Sequence, residues 1–314
     1  MNMKLQIVPP PARQRGVALI TAIFVVTLAV MASVAMVTAS NIAVHRATSL
    51  QETETAWWYA TGVESWIRTI LQRDAEDNQS DSLADEWARP LDYLPLDQGF
   101  ITGRVVDAQG LFNLNNLGNP QPAKRREYDQ QFERLLANIG GIDPFAAQAL
   151  LPAIHDWIDT DSETTPYDGA EDNEYARLTP PYRNGNQAFR NVTELMAVKG
   201  MNREIFARLY PYVTALPVVD ATVNANTAPA EVLNALSPSP GAELQEFIEK
   251  RTTQPAESAA ELPGELAGEA SVTSEFFELR ATVTIGNSRV AIYSLYNRAL
   301  QSAPVVLARS IGTP

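Results

Sequence analysis

Residues 17–44 form a run of 28 positions without a charged side chain, and most of them are apolar. The hydrocarbon core of a bilayer is roughly 30 Å thick, so about 20 apolar residues at 1.5 Å each can cross it as a helix. This run is therefore predicted to be a helix that lies in a membrane or in a bundle of helices.

The segment before this run is short and basic, and its three charged residues are Lys4, Arg13 and Arg15. Positive charge holds the flanking end of a membrane helix in the cytoplasm, which sends the chain after Arg46 across the bilayer. A secretory signal peptide has a shorter apolar region, followed by a small-residue cleavage site. Here the apolar region is longer, and the expected cut lies before it, between Gly16 and Val17.

Charge and composition exclude several classes of function. The net charge is −13 and residues 1–16 contribute +3, so the part after Gly16 carries −16. Such an acidic domain repels nucleic acids and anionic lipids. The absence of cysteine excludes disulfides and thiolate metal sites. With only His45 and His155, and no Gly-x-Ser-x-Gly or Walker-type loop, we expect no enzymatic activity.

The helical pattern continues beyond the apolar run, because no proline occurs between Pro11 and Pro90. Apolar residues then recur at spacings of three and four, which indicates one buried helical stripe. The stripe consists of Trp57, Ala60, Val63, Ile67, Ile70 and Leu71. The simplest interpretation is a single helix over residues 17–71, roughly 80 Å long. A signal anchor followed by a separate helix fits the periodicity equally well.

Two segments alternate with the period of a β-strand. Ile101 and Val105 alternate with polar residues, a turn is predicted at 107–110, and Phe112 and Leu114 return as the second strand. Near the C-terminus, residues 277–285 and 290–292 form a second hairpin around the Gly286-Asn287 turn. Each hairpin offers one apolar face that can cover the amphipathic half of the helix.

A long, mainly helical segment separates the two hairpins, so the fold class is α+β. Its helices are predicted at 128–139, 144–157, 192–198, 203–213, 229–236 and 242–251. The predicted parts are a leader (1–16), the apolar helix half (17–44), the amphipathic half with the first hairpin (45–117), an inserted helical domain (118–253), a linker (254–270) and the C-terminal hairpin (271–314). The linker is predicted to be flexible, because its Glu/Ala/Pro/Gly composition lacks apolar anchors.

Eight carboxylates occur within residues 156–174, with no lysine or arginine among them. In a folded loop such charges repel each other unless a cation neutralises them, and oxygen donors of this kind suit Ca²⁺. The spacing is not that of an EF-hand, since Thr164 stands where the glycine is required. A disordered acidic loop is the alternative, although Trp157, Tyr167 and Tyr175 favour order.

Three segments, at 135–154, 194–213 and 224–251, have the pattern helix, short turn, helix. They resemble helix-hairpin-helix modules, and the third resembles a segment of DNA-uptake receptors, in which backbone N–H groups and lysines hold phosphates. Here Asp and Glu surround the turns, which favours packing units over phosphate sites. A membrane-anchored DNA-binding module is the alternative function.

Several motifs carry a resemblance to known families. The sequence RQRG followed by VALITAIFVV is similar to the cleavage motif of type IV prepilins. The motifs DAQGLFNLNNL (107–117), DWIDTD (156–161), DGAEDNEY (168–175) and VNANTA (223–228) resemble the GspK family, the minor pseudopilins K of type II secretion systems. The resemblance runs essentially from end to end.

The resemblance implies a type IV pilin-like fold, in which a long N-terminal helix packs on a small antiparallel sheet with a large α-helical domain inserted between strands. It implies a protein anchored in the inner membrane of a Gram-negative bacterium, with a cytoplasmic N-terminus and a periplasmic domain. That protein would cap the pseudopilus tip and start its assembly with the minor pseudopilins I and J. Minor pseudopilin H and the major pseudopilin are further expected partners, and the prepilin peptidase would cut at Gly16.

The resemblance also implies particular site residues. Members bind Ca²⁺ in the inserted domain, and the expected ligands for one or two ions are Asp159, Asp161, Asp168, Glu171, Asp172 and Glu174. Asp156 and Glu163 are weaker candidates. Most pilins have Glu at the fifth position after the cut, where this chain has Thr21, as K members do. That Glu pairs with the amino terminus of the preceding subunit, so its loss suits the first position in the fibre. Prepilins are methylated at the new N-terminus, here Val17.

Overall fold

The structure is a computed structural model that describes residues 15–298 and 303–312. Its helices are α1 (Arg15–Asp77), α2 (Pro122–Ile139), α3 (Pro144–Ile158), α4 (Asp172–Tyr175), α5 (Arg203–Leu209), α6 (Ala230–Leu236) and α7 (Ala242–Lys250). Its strands are β1 (Leu91–Leu96), β2 (Gly99–Asp107), β3 (Phe112–Asn113), β4 (Val213–Thr214), β5 (Val223–Asn224), β6 (Ala270–Ser271), β7 (Phe276–Ile285), β8 (Ser288–Asn297) and β9 (Val305–Ile311).

The prediction of one long helix is confirmed, because α1 runs without interruption from Arg15 to Asp77. It starts two residues before the predicted position and extends past residue 71. The chain divides into two compact units, residues 1–55 and 56–314, which are described separately. In the first unit the apolar side chains from Val17 to Val44 are exposed. By length and composition, this helix is able to cross a membrane.

In the second unit, five strands form one antiparallel sheet in the order β1-β2-β7-β8-β9. The C-terminal hairpin is confirmed: β7 and β8 pair in continuous register around the Gly286-Asn287 turn. The sequence analysis missed β9, which pairs with β8 at the edge of the sheet. Most β9 side chains are exposed, so the strand lacks the alternation of a half-buried strand.

The prediction of the first hairpin is wrong in its second strand. The partner of β2 is β1, which precedes it, and the two pair around the turn at 97–98. Pro95 interrupts the pattern of β1, as is typical of edge strands. After β2, the Asp107 carboxylate accepts a hydrogen bond from Gln109 N at 2.8 Å and starts a 3-10 turn that leaves the sheet. Phe112 then pairs in parallel with Val213.

The core of the pilin-like part lies between α1, from Ala56 onward, and one face of the sheet. The predicted stripe is buried there, except that Trp57 is only partly buried. Ala56 and Ala60 are fully buried, and their small side chains let α1 lie close to the sheet. Burial of each larger aliphatic side chain contributes roughly 1.5–3 kcal/mol to stability.

The buried helix face also holds one acid, Glu64. Its side chain is 4% exposed and forms an ion pair with Arg309 on β9. The Ser294 hydroxyl donates a second hydrogen bond to Glu64 Oε1 at 2.7 Å. These contacts satisfy the buried charge and connect α1 to the edge strand.

The inserted domain leaves the sheet after β2 and returns at β7, and these two strands are paired neighbours. It has its own core, which includes apolar residues of all three predicted two-helix segments, so the interpretation of those segments as packing units is confirmed. Phe112, Leu114 and Leu117 belong to this core. The inserted domain therefore begins near residue 108, ahead of the predicted boundary at 118.

The helices of the insertion differ from the predictions mainly at their ends. The helix α2 begins at Pro122 and not at 128, whereas α5 ends at Leu209, ahead of 213. The segment 192–197 is a 3-10 helix. Tyr210–Tyr212 adopt 3-10 geometry before β4, because Pro211 provides no amide hydrogen for the α-helical pattern.

Asparagines of the motif at 107–117 fix the inserted domain by long-range hydrogen bonds. Asn115 Nδ2 donates to Phe189 O at 2.9 Å and to Leu216 O at 2.7 Å. The buried Asp107 carboxylate accepts hydrogen bonds from Asn224 Nδ2 at 2.9 Å and from the Thr227 hydroxyl at 2.6 Å. The motifs DAQGLFNLNNL and VNANTA therefore interact with each other and hold the insertion on the sheet.

The segment 254–270 does have apolar anchors, contrary to the sequence analysis. Leu266 is fully buried in the core of the insertion. Ala256 is also buried, with 4% of its surface exposed. Ala256 N donates to Asn226 Oδ1 at 2.9 Å, and Ala270 pairs with Val223. Composition alone missed these anchors because they are single small or aliphatic residues between polar ones.

Candidate metal site

The acidic segment begins at the C-terminal end of α3. The helix is capped at its start by Asp143, whose carboxylate accepts from Phe145 N and Ala146 N, and it ends with Asp159 as its C-cap. Its last turn carries Asp156, which is fully buried, and Trp157. The core contacts of α3 therefore determine where the acidic residues after it lie.

Three carboxylates meet beyond this helix end. Asp159, Asp161 and Glu171 each place an oxygen within 4.8 Å of the others. Glu171 is buried, Asp159 is partly buried and Asp161 is exposed. The cluster therefore has one deep carboxylate and one open side, as a site for an ion that enters from solvent requires.

Two oxygens of this cluster have no partner among the described residues. Asp159 Oδ1 and Glu171 Oε1 are both buried and accept no hydrogen bond there. Leaving a buried carboxylate oxygen unsatisfied is costly. Burial, followed by the nearby carboxylates of Asp161 and Asp156, raises the pKa of Asp159. Burial also raises the pKa of Glu171, against the Asn184 hydrogen bond.

A second set of contacts holds the cluster in place. Asn184 Nδ2 donates to Glu171 Oε2 at 2.8 Å and to Asp156 O at 2.5 Å. Asn184 N donates to Asp172 Oδ1 at 2.9 Å, and Thr165 N donates to Asp156 Oδ1 at 3.0 Å. These bonds join the helix end, the acidic loop and the segment after it.

The aromatic residues of the segment keep it ordered, as the sequence indicated. The Trp157 ring meets the Tyr175 ring edge-on at 5.5 Å and stacks on the Phe189 ring at 6.4 Å. The backbone of Gly185 passes so close that an added Cβ would lie 2.7 Å from Trp157 Cε2. Tyr167 is the exception, because it is fully exposed.

The structure brings together only part of the predicted ligand set. Asp168, Asp172 and Glu174 are exposed and lie outside the three-carboxylate cluster. Glu174 forms an ion pair with Arg177 at 3.1 Å, and Asp172 is engaged by Asn184. The predicted six ligands therefore separate into a central cluster and a peripheral group.

Sequence reasoning missed the two asparagines beside the cluster. Asn186 Nδ2 donates to Asp161 O at 3.4 Å, while its Oδ1 is buried and has no partner among the described residues. Asn184 and Asn186 flank Gly185 more than ten residues after Glu171. A search limited to carboxylates does not detect them, although amide oxygens are common Ca²⁺ ligands.

The donor set fits a hard cation. Carboxylate oxygens from three residues, with the amide oxygen of Asn186 nearby, are the chemistry that Ca²⁺ prefers, and no nitrogen or sulfur donor belongs to this set. His155 is engaged elsewhere, since its Nε2 lies 2.8 Å from Asp129 Oδ1. Asp159, Asp161 and Glu171 would hold the ion, with Asn186 as an additional oxygen donor.

A second acidic group, Asp74, Asp81 and Asp85, has a different neutralising partner. The buried Arg298 guanidinium lies 2.8 Å from Asp74 Oδ2 and 2.6 Å from Asp81 Oδ1. The Asp85 carboxylate accepts a hydrogen bond from Ser82 N at 2.7 Å. An arginine already provides the positive charge at this place, so it is a structural ion pair.

The predicted cleavage and assembly residues lie at the start of α1. The helix already includes Gly16 and Val17, and Val17 is exposed. The Thr21 hydroxyl donates to Val17 O at 3.1 Å and to Ala18 O at 3.0 Å. Thr21 therefore satisfies its hydroxyl within its own helix and offers no negative charge.

Comparison with known proteins supports the resemblance found in the motifs. Two sequence profiles described as "Type II secretion system (T2SS), protein K" match residues 110–218 and 223–279. The type II secretion system protein K of Aeromonas hydrophila is 31% identical over 97% of this chain and 99% of that protein. The Pseudomonas aeruginosa protein of the same name is 31% identical over 95% of this chain and 93% of its own length.

A solved structure confirms the fold class. A chain in the crystal structure of the GspK-GspI-GspJ complex from enterotoxigenic Escherichia coli matches with a TM-score of 0.71 and 28% identity, over 86% of this chain and all of that one. The long helix, the antiparallel sheet and the inserted helices are therefore the pilin-like α+β fold predicted from the sequence. Because its relatives match along nearly their whole length, this chain belongs to the type II secretion system protein K family, the GspK minor pseudopilins.

Proposed function

We propose that this protein caps the tip of a periplasmic pseudopilus and helps to start its assembly for protein export across the outer membrane. The observation that carries the proposal is its likeness to a chain of a GspK-GspI-GspJ complex. Pseudopilins I and J of the same system are the proposed tip partners, with pseudopilin H and the major pseudopilin joining below. The role is structural and involves no catalysis.

Thr21 favours the first position in the fibre for this subunit. A Glu at this point would offer a charge to the amino terminus of a neighbouring subunit within the bilayer, where an unpaired charge is costly. Thr21 instead bonds to carbonyls of its own helix. A subunit without that carboxylate gains nothing by docking beneath another, so it suits the first position of the fibre. The inserted domain also widens the head beyond what a closely stacked shaft accommodates.

The experiment that tests this function is co-purification from membranes. The full chain, tagged at its C-terminus and solubilised in detergent, is expected to retain pseudopilins I and J of the same system in equal amounts. Site-specific cross-linkers placed along α1 then report position within the assembled fibre. Cross-links distributed along the shaft, or a failure to retain I and J, would contradict the tip proposal.

Processing is a further part of the proposal. The prepilin peptidase would cut between Gly16 and Val17, which leaves the apolar half of α1 in the inner membrane, the amino terminus on the cytoplasmic side and the chain after Arg46 in the periplasm. Methylation of the new terminus at Val17 would follow. Gly16→Leu is expected to leave the full-length form, because a bulky side chain hinders the close approach of the backbone to the peptidase. A mature terminus near Ala39 would show a secretory signal instead.

We also propose that the central acidic cluster binds Ca²⁺. The support is the pair of buried oxygens on Asp159 and Glu171 that have no partner in the described part of the chain, which a cation would satisfy. Binding would neutralise like charges at the end of α3 and stabilise the inserted domain. Asp168, Asp172 and Glu174 would contribute to a second, weaker site or to the local negative potential.

A further inference from the structure

The sheet face opposite α1 carries a row of three side chains in register. Arg104 on β2 lies directly opposite Arg280 on β7, and Arg280 lies opposite Tyr293 on β8. Tyr210 of the inserted domain covers the row, with Arg280 Cζ 5.6 Å from the centre of its ring. We call the space around Arg104, Tyr210, Arg280 and Tyr293 the basic cleft.

The basic cleft is open and extended. Three adjoining cavities of about 230, 390 and 640 Å³ share Tyr210 and Arg280 in their walls. One extends towards Asn191 and Ser310, another towards Trp87 and Thr227, and the widest towards Pro90 and Thr102. The lining combines apolar and aromatic side chains with several polar and charged ones.

One of the two arginines in the cleft has no counter-ion among the described residues. Arg280 Nη2 pairs with Glu278 Oε2 at 2.7 Å, but its Nε is buried without a partner among the described residues. Arg104 is exposed and forms no hydrogen bond or ion pair within the part of the chain that the structure describes. Like charges directly opposite each other on neighbouring strands are destabilising. The exposed Asp92 lines the widest cavity but forms no ion pair with either arginine among the described residues.

Two guanidinium groups side by side suit a carboxylate, because each presents a planar fork of donors to two oxygens. Guanidinium forks also bind phosphate, but the sheet amides beside Arg104 and Arg280 are paired in the ladder and cannot add the nest of backbone N–H groups that many phosphate sites use. A nucleic acid is opposed by the net charge of −13. The length and the partly apolar lining match an extended chain.

We propose that the basic cleft binds an extended, carboxylate-bearing peptide segment of a partner protein, with its acidic side chain between Arg104 and Arg280 and its apolar neighbours against Tyr210 and Tyr293. Charge complementarity at Arg104, which forms no ion pair among the described residues, carries the assignment. The proposal goes beyond the role at the tip and does not depend on it, because it concerns a surface on the sheet face away from α1.

The test uses the full chain in detergent and an array of octapeptides. Each octapeptide carries two Glu residues at varied positions in a background of Ala, Leu and Tyr, and a matched array has Gln in their place. Inorganic phosphate serves as a competitor. Arg104→Gln removes the positive charge of Arg104, and Arg126→Gln, at an exposed position on α2, is the control with the same charge change.

Some Glu octapeptides are expected to bind at least tenfold more tightly than their Gln counterparts, since each well-formed charge-assisted contact contributes about a factor of ten. Arg104→Gln should abolish that preference, while Arg126→Gln changes affinity less than twofold. Equal binding of the two arrays, or Glu binding that Arg104→Gln leaves intact, would overturn the proposal. Displacement by millimolar phosphate with no preference for Glu peptides would instead identify a small-anion site. Circular dichroism of the variants verifies that they fold.

Discussion

The buried oxygens of Asp159 and Glu171 indicate that the acidic segment needs a bound cation, and single substitutions can test this. Both are unsatisfied within the described residues, and Asp161 adds a third charge beside them. With no cation, the three carboxylates repel each other. With a cation bound, the same arrangement is stabilising, so the sign of a substitution should depend on calcium.

Asp159→Asn is expected to raise the melting temperature in chelator, because it removes a repelling charge, and to remove most of the stabilisation by Ca²⁺. For the native chain, free Ca²⁺ at about 100 times its dissociation constant should add about 2.7 kcal/mol, or several degrees. Glu163→Gln, an exposed acid of the same loop, is the matched control and should keep the response. Calorimetric melts with calcium or chelator measure both effects. A native midpoint that is indifferent to both additions would refute the calcium site.

Glu269 supplies a prediction of pH dependence. Burial, followed by the adjacent Glu127, raises the pKa of Glu269 to about 7, against the Gln131 amide that donates to it at 2.8 Å. A carboxyl whose pKa is raised on folding stabilises the protein fully below its unfolded pKa of about 4.3, and that contribution is lost as the pH rises through 7.

Glu269→Gln should therefore stabilise the protein at pH 8, by about 1 kcal/mol after allowance for partial solvent exposure, and should have little effect at pH 5. Urea unfolding at the two pH values measures the difference. Glu133→Gln, at an exposed position of α2, controls for the change in net charge. If the gain were the same at both pH values, the protonation of Glu269 would not be its cause.

At the scale of elements, the contact of α1 with the edge strand β9 depends on one buried ion pair. Glu64 is 4% exposed, while Arg309 is 40% exposed. Removing the arginine leaves a buried carboxylate with few donors, whereas removing the carboxylate leaves an arginine that water can reach. The two deletions are therefore expected to be unequal.

Arg309→Ala should destabilise the fold by about 3 kcal/mol and Glu64→Gln by about 1 kcal/mol. Denaturant unfolding of the two single variants and the double variant measures both values and their coupling. Arg289→Ala, an exposed arginine on β8, shows the effect of losing an arginine without this pair. Equal losses of unfolding free energy for Arg309→Ala and Glu64→Gln would mean that water reaches the Glu64 carboxylate.

At the scale of the whole molecule, the tip proposal predicts a stoichiometric effect. Loss of the protein should reduce pseudopilus assembly and secretion, whereas excess protein should shorten or suppress fibres by starting too many of them. Thr21→Glu should change secretion by less than about twofold, because nothing docks above the cap to use the new charge. Secretion assays and fibre lengths by electron microscopy measure these outcomes. A strong gain or loss with Thr21→Glu would mean that another subunit does dock there.

Local and periodic features of this chain were predictable from its sequence. The long helix follows from 78 positions between Pro11 and Pro90 without a proline, and the C-terminal hairpin from strict alternation around Gly286-Asn287. The acidic segment between residues 156 and 174 could be recognised as a cation-binding candidate, because the repulsion among its charges does not depend on the details of the fold.

Pairings between residues distant in sequence could be identified only from the tertiary structure. The alternation of β2 is the same whether its partner precedes or follows it, so only the sheet shows that β1 is that partner. Likewise Asn184 and Asn186 reach the acidic cluster only because the chain returns past Trp157. Arg104 and Arg280 lie far apart in sequence and become neighbours through strand register. Periodicity reports which face of an element is buried, but the partner of that face is set by packing and long-range hydrogen bonds that leave no local signal in the sequence.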